Sequence, residues 1–127
     1  MTRTGTGTDR RKQLGRLGER QAESYLTEQG YRVIERNWRC RSGEIDLIAE
    51  HEGRTVFVEV RTRSSTERFG TGLESVSPRK QRQVRETAIR YLHAAGKHDA
   101  QIRFDVVALL LSHDGVVSEL THVPNAF

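Results

Sequence analysis

Between Gly43 and Arg63 the chain reads G-E-I-D-L-I-A-E-H-E-G-R-T-V-F-V-E-V-R-T-R, two alternating apolar stretches around a Glu52-Gly53 pair. No other segment restricts the fold as strongly. Period-two alternation sends successive side chains to opposite faces of a strand, and an x-Gly pair between two such runs favours a two-residue hairpin turn. The spacing predicts antiparallel strands over Glu44–His51 and Arg54–Arg63. Val56, Val58 and Val60 then share one face of the second strand, and Phe57, Glu59, Arg61 and Arg63 the other. On the first strand Ile45, Leu47 and Ala49 form an apolar face, with Glu44, Asp46 and Ile48 opposite. A two-residue turn sets Asp46 directly across from Glu59, and Glu44 across from Arg61. A one-residue slip would pair Asp46 with a valine and turn a whole face over, which the apolar pattern opposes.

Directly opposed side chains have their Cβ atoms about 4.5–5.5 Å apart, and like charges at that distance are destabilising. Asp46 facing Glu59 therefore calls for a compensating cation. Magnesium suits the arrangement, because it takes one or two carboxylates and completes its shell with water and phosphate oxygens. Arg61, two residues beyond Glu59 on the same face, places positive charge where a scissile phosphate would lie. The plain alternative is a solvated strand with scattered charges. Ile48 and Phe57 on the same face argue instead for a surface that is partly covered.

The rest of the chain supplies the frame. Leu14, Leu17, Ala22, Tyr25 and Leu26 form one helical stripe over Asp9–Gln29, with Gly30 as the stop. Tyr31–Asn37 reads as a short strand and Arg41-Ser42-Gly43 as a turn. Ser64–Ser77 is polar and reads as an exposed loop. Ser77-Pro78 opens a second helix, with serine as N-cap and proline at the first helical position. Its stripe is Val84, Ala88, Tyr91, Leu92 and Ala95, and Gly96 ends it. Ile102–Leu111 reads as a strand buried on both faces, and Val116–Val123 as a weaker last strand. Helix, three strands, helix, two strands gives an α/β fold with a mixed central sheet flanked by helices.

With 127 residues there is room for one domain: a flexible basic arm over residues 1–8 and a single unit over 9–127. The longest apolar run, Val106–Leu111, is too short to span a bilayer. Met1–Thr8 lacks the apolar core of a secretory signal. The one cysteine, Cys40, excludes an internal disulfide and a cysteine-based zinc site. A cytoplasmic protein with no membrane partner is expected. The five histidines show no H-x-x-x-H or H-x-E grouping, and phosphate-cradling or serine-nucleophile motifs are absent. Residues 1–41 and 78–97 each carry a net charge of +5, while 42–77 and 98–127 each carry −3. Only three of the 21 basic residues are lysine. Arginine forks match phosphate oxygens in pairs, so a nucleic-acid partner is expected. Arg63, Arg79, Lys80, Gln81, Arg82 and Arg85 are the candidate contacts, Lys80 and Gln81 reaching toward the hairpin and the arginines tracking phosphates.

Gly43-Glu-Ile-Asp46 followed by Phe57-Val-Glu-Val-Arg-Thr-Arg63 resembles the PD-(D/E)xK nuclease superfamily. Gly18-Glu19, Ala22, Tyr25-Leu26, Gly30-Tyr31 and Asn37 extend the likeness to the YraN-type family of endonuclease-like bacterial proteins, themselves similar to archaeal Holliday junction resolvases. The resemblance covers about Gly15 to Val123. It implies a restriction-endonuclease-like αβββαβ core and a nuclease that hydrolyses phosphodiester bonds in DNA, branched or recombination intermediates among them. It also implies Mg2+ or Mn2+ bound by Asp46 and Glu59, an accessory acidic role for Glu19, and a homodimer. Two positions depart from the superfamily. Ile45 replaces a proline that contributes no ligand. Arg61 replaces the usual lysine, and because arginine keeps its proton it cannot act as a base. That substitution sustains the alternative of a weak or inactive nucleic-acid-binding module of the same fold.

Overall fold

A computed structural model describes residues 7–64 and 76–127. Helix α1 (Gly7–Glu28) leads into strands β1 (Arg32–Cys40), β2 (Gly43–His51) and β3 (Arg54–Ser64). Helix α2 (Pro78–Ala94), β4 (Gln101–Leu111) and β5 (Val117–Val123) follow. Gly7 and Thr8, expected in the arm, are already helical. The rest of that arm, and residues 65–75 of the expected loop, lie outside the described residues. No helix among those described is long and apolar enough to cross a membrane.

The five strands form one mixed sheet in the order β1-β2-β3-β4-β5. β3 and β4 are parallel and the other neighbours antiparallel. The two parallel strands are joined through α2, the usual device for returning a chain to the same end of a sheet. Each face of the sheet carries one helix. The α1 stripe, with Ala22 and Leu26 fully buried, packs on Leu47, Ala49, Val56, Val58, Val107 and Leu109. On the other face Val84, Ala88 and Tyr91 of α2 pack on Ile45, Ile48, Phe57 and Phe104. Trp38 joins this second cluster, its ring edge-on to Tyr91 with centroids 5.4 Å apart.

Local signals account for the boundaries. Gly30, at φ +89°, stops α1, and the Tyr31 N–H returns to the Leu26 carbonyl at 2.9 Å. Ser77 caps α2 by accepting the Lys80 N–H at 3.1 Å, with Pro78 in the first turn. Glu52 and Gly53 both have positive φ, 49° and 76°, as a tight hairpin with the natural strand twist requires. The hairpin register is the expected one from His51↔Arg54 to Leu47↔Val58.

Beyond that point the expected pairing fails. The β2–β3 ladder ends at Leu47↔Val58, so Asp46 is not the strand partner of Glu59, nor Glu44 that of Arg61. Glu44 instead lies opposite Arg39 of β1 and pairs with it at 3.2 Å. The cause is competition for one donor. The Asp46 carboxylate takes the Val60 N–H at 2.8 Å, while β3 stays in register with β4 along its whole length. β2 and β3 therefore part. The shared apolar face expected for Ile45, Leu47 and Ala49 is also corrected: Ile45 belongs to the α2 cluster, Leu47 and Ala49 to the α1 cluster. The switch coincides with Asn37, which sits at φ +50° between Arg36↔Leu47 and Trp38↔Ile45. A left-handed residue in mid-strand breaks the alternation on β1 and lets the facing strand turn over with it.

Candidate active site

Where β2 and β3 part, four carboxyls from three elements come within electrostatic reach of one another. Asp46 is the centre. Burial pushes its carboxyl well above the usual carboxylate range, and the charge of neighbouring Glu59 adds to that. The Val60 N–H pulls in the other direction, and a side-chain hydrogen bond with Glu59 and the charge of Glu44 raise it again. Asp46 and Glu59 are thus near enough for their charges to interact, although their backbones are not paired.

Glu59 points from β3 toward α2 and is buried. Its Oε2 lies 3.2 Å from the Lys80 ammonium. Its Oε1 is buried without a hydrogen-bond partner among the described residues. A buried acceptor left open in this way is rare in folded proteins and marks a site that expects a partner. Lys80 gets there because Ser77-Pro78 fixes the start of α2, and the side chain at the third helical position then leans toward the sheet. The reach foreseen for Lys80 is thus observed. Gln81 turns elsewhere, donating to the Val76 carbonyl at 2.9 Å.

Glu19 arrives from α1. Burial raises its pKa first, the Asn37 amide lowers it, and the charges of Asp46 and Glu44 raise it again, with Arg16 opposing. Asn37 Nδ2 donates to Glu19 Oε1 at 3.1 Å. α1 sits this close because Gly18 has no side chain: a Cβ there would lie 2.0 Å from Thr62 Oγ1. Asn37 entered the sequence reading only as part of the resemblance. Its place in the site, turning the strand and holding Glu19, was missed. An asparagine inside an otherwise strand-like segment is the one local sign, since Asn tolerates positive φ better than most residues.

The remaining expected residues scatter. Arg61 is half-buried and runs beside Ala108, and no ion pair or hydrogen bond joins it to Asp46 or Glu59 among the described residues. Arg63 lies at the α1 side of β3, lining a hollow with Val60 and Thr62. Arg79 and Arg82 are exposed on α2. Arg85 sits over the rings of Phe104 and Phe127, 5.0 and 5.5 Å from their centroids.

Comparison with known proteins places this arrangement among relatives. Residues 18–109, which include Glu19, Asp46, Glu59 and Lys80, match the model of "Uncharacterised protein family UPF0102". A UPF0102 protein of Pelotomaculum thermopropionicum is 44% identical over 119 residues, covering 94% of this chain and 98% of the relative. One from Rhodococcus opacus is 46% identical over 114 residues, covering 90% and 95%. With similarity of this extent running through both helices and the central strands, the chain belongs to the UPF0102 family.

Proposed function

We propose that this protein is a metal-dependent nuclease hydrolysing phosphodiester bonds in DNA, built on a restriction-endonuclease-like core, with Asp46 and Glu59 holding Mg2+ or Mn2+. The observation that carries the reading is the approach of half-buried Asp46 to buried Glu59, whose Oε1 has no hydrogen-bond partner among the described residues. Among the described residues no group of three or more His, Cys, Asp and Glu is arranged to hold a metal by itself. A pair of carboxylates completed by water and phosphate oxygens is nevertheless the arrangement magnesium favours, and the donor set fits it. Such an ion supplies charge that polarises the phosphodiester and makes the attacking water more acidic.

The protein's own groups set the geometry around it. The Val60 N–H fixes one oxygen of Asp46. Lys80 neutralises one oxygen of Glu59, so that the pair carries less mutual repulsion and a cation next to a developing phosphoryl charge. Glu19, tethered by Asn37, closes the α1 side. Arg61 keeps its proton at any working pH, which limits it to stabilising charge.

The test is cleavage of linear, single-stranded and branched DNA with magnesium or manganese. Wild type should cut, and Asp46→Ala and Glu59→Ala should not. Lys80→Ala should lower the rate by about 10²-fold, the usual size of an electrostatic contribution, without abolishing it. Undiminished cutting by either carboxylate variant would remove the site assignment. Tight, salt-sensitive binding without cutting under either ion would favour the binding-module alternative.

A further inference from the structure

Of the arginines expected to follow nucleic-acid phosphates, Arg63 is on β3 and lines a hollow beside α1, while Arg79, Arg82 and Arg85 lie on α2, most of whose polar face is committed to the protein itself. Arg85 is stacked on two rings, Arg90 donates to Ser42 Oγ, Lys80 pairs with Glu59, and Gln81 caps Val76. Arg79 and Arg82 remain. Concave surface lies beside α1. Three adjoining hollows of about 230, 490 and 580 Å³ surround Glu19, between α1, β1 and the end of β3. Seven basic side chains and three acidic ones line them. Two of the acids are already neutralised, Glu23 by Arg36 and Glu44 by Arg39. The third is Glu19 itself.

The excess charge is organised. Lys12, Arg16 and Arg20 follow one another at four-residue steps on α1, all exposed and without an ion-pair partner among the described residues. Like charges at that spacing destabilise a helix, and each step advances about 6 Å along its axis. A row of cations at this pitch, set along a trough, suits a linear polyanion. Aromatic side chains are absent from the lining, so binding is through phosphates rather than by base stacking. The inner wall of the largest hollow is Val60 and Thr62, and Val60 is the residue whose N–H holds Asp46.

We infer that the trough between α1, β1 and β3 is the binding path for the phosphodiester backbone of one nucleic-acid strand, with Lys12, Arg16 and Arg20 as its phosphate ligands and Glu19 marking where the strand meets the carboxylates. The inference rests on the nuclease reading for the class of partner and adds the route, which departs from the α2 surface suggested by the sequence.

The experiment measures binding of the full chain to a fluorescent 30-nucleotide single strand, and to the same oligonucleotide as a duplex, by anisotropy in EDTA across a salt series. A Lys12→Gln/Arg16→Gln/Arg20→Gln triple variant is compared with an Arg79→Gln/Arg82→Gln double variant. Removing one cation that neutralises a phosphate lowers the log–log salt slope by roughly 0.7 for a single strand or 0.9 for a duplex. The slope of the triple variant should therefore fall by about two to three units, and its affinity at least tenfold at low salt. The double variant should stay within about twofold of wild type. Whichever probe shows the larger fall identifies the strand form that uses the trough. Thermal melting of the triple variant should equal or exceed wild type, since repulsion has been removed; a lower melting point moves the test to Arg20→Gln alone. An unchanged triple variant, a double variant that weakens as much, or no binding by wild type would overturn the route. Because EDTA excludes cleavage, trough-dependent binding by a chain that never cuts would sink the nuclease reading only. Cutting by a chain indifferent to the triple substitution would sink the trough only.

Discussion

Asp105 is heavily tied and has no part in the proposed chemistry. It is fully buried on β4. Its carboxylate accepts from Arg103 Nε at 2.8 Å, from the Tyr31 hydroxyl at 3.1 Å and from the Asn125 N–H at 3.1 Å, with His122 Nε2 at 2.8 Å. An ionised carboxylate only accepts, so His122 Nε2 donates to it, and Nδ1 lies 3.2 Å from the Tyr25 hydroxyl. Burial alone would raise the Asp105 pKa. The hydrogen bonds from His122, Arg103 and Asn125 outweigh it and bring the value down to about 2. The same burial, with the Asp105 charge, lifts Tyr31 to about 12. A depressed carboxyl stabilises the fold above its unfolded value and loses that contribution as pH falls toward the folded one. Acid titration should thus remove on the order of 2 kcal/mol between about pH 4 and pH 2. Asp105→Asn should flatten that limb and cost about 3–5 kcal/mol at neutral pH by leaving Arg103 buried without its partner. Urea melts at pH 7, 4 and 3 check both; an unchanged acid limb in the variant would contradict the assignment.

At the scale of elements, the approach of α1 to β3 decides whether Glu19 reaches the site. Gly18 is the point of closest approach. Alanine there would gain about 1 kcal/mol of helix propensity, but its Cβ would fall 2.0 Å from Thr62 Oγ1 and 3.0 Å from Thr62 Cβ. Threonine is stiff at χ1, so the side chain does not swing away and the helix must. Overpacking of this kind costs about 1–3 kcal/mol and exceeds the helical gain. Gly18→Ala should destabilise by up to about 2 kcal/mol, and adding Thr62→Ala should recover part of the loss, because the 2.0 Å clash with Oγ1 goes while the 3.0 Å contact with the Cβ stays. A double-mutant cycle by denaturant melting measures the coupling. The strand elements tell a parallel story. Asn37 turns β1 over, Asp46 takes the Val60 N–H, and the hairpin opens. The turn at Glu52-Gly53, the register over Leu47–His51 and the start of α2 were all legible beforehand, because each is set by neighbouring residues. The opening was not, because it depends on a side chain of one strand displacing a backbone partner of the next.

For the whole molecule, Asp46 beside Glu59 is a destabilising feature. Asp46 has its pKa raised in the fold, so its contribution to stability is full below the ordinary carboxylate value of 3.8 and is lost as pH rises. Without metal at pH 8, Asp46→Asn should therefore melt above wild type by several degrees. Magnesium should reverse the order. At 100 times its dissociation constant a ligand of the folded state adds about 2.7 kcal/mol, which is roughly 10 °C for a domain of this size. The asparagine variant should not respond. A wild type whose melting temperature ignores both magnesium and manganese would leave the two carboxylates without the cation proposed for them.

What the sequence determined alone was everything with short reach. Period-two and helical patterns, the Ser77-Pro78 cap, the Gly30 stop and the tight turn fix the order of the elements and most of their residues, although β1 runs on past the expected Asn37 to Cys40. The family likeness added Glu19 and Asn37. Only the tertiary structure decided that Lys80, 21 positions beyond Glu59, is the cation at its side chain, that Ile45 changes face, and that basic hollows lie along α1. These outcomes rest on competition among groups far apart in the chain for one donor, one buried volume or one countercharge. Local periodicity carries no record of such contests, because their winners are set by how the elements pack.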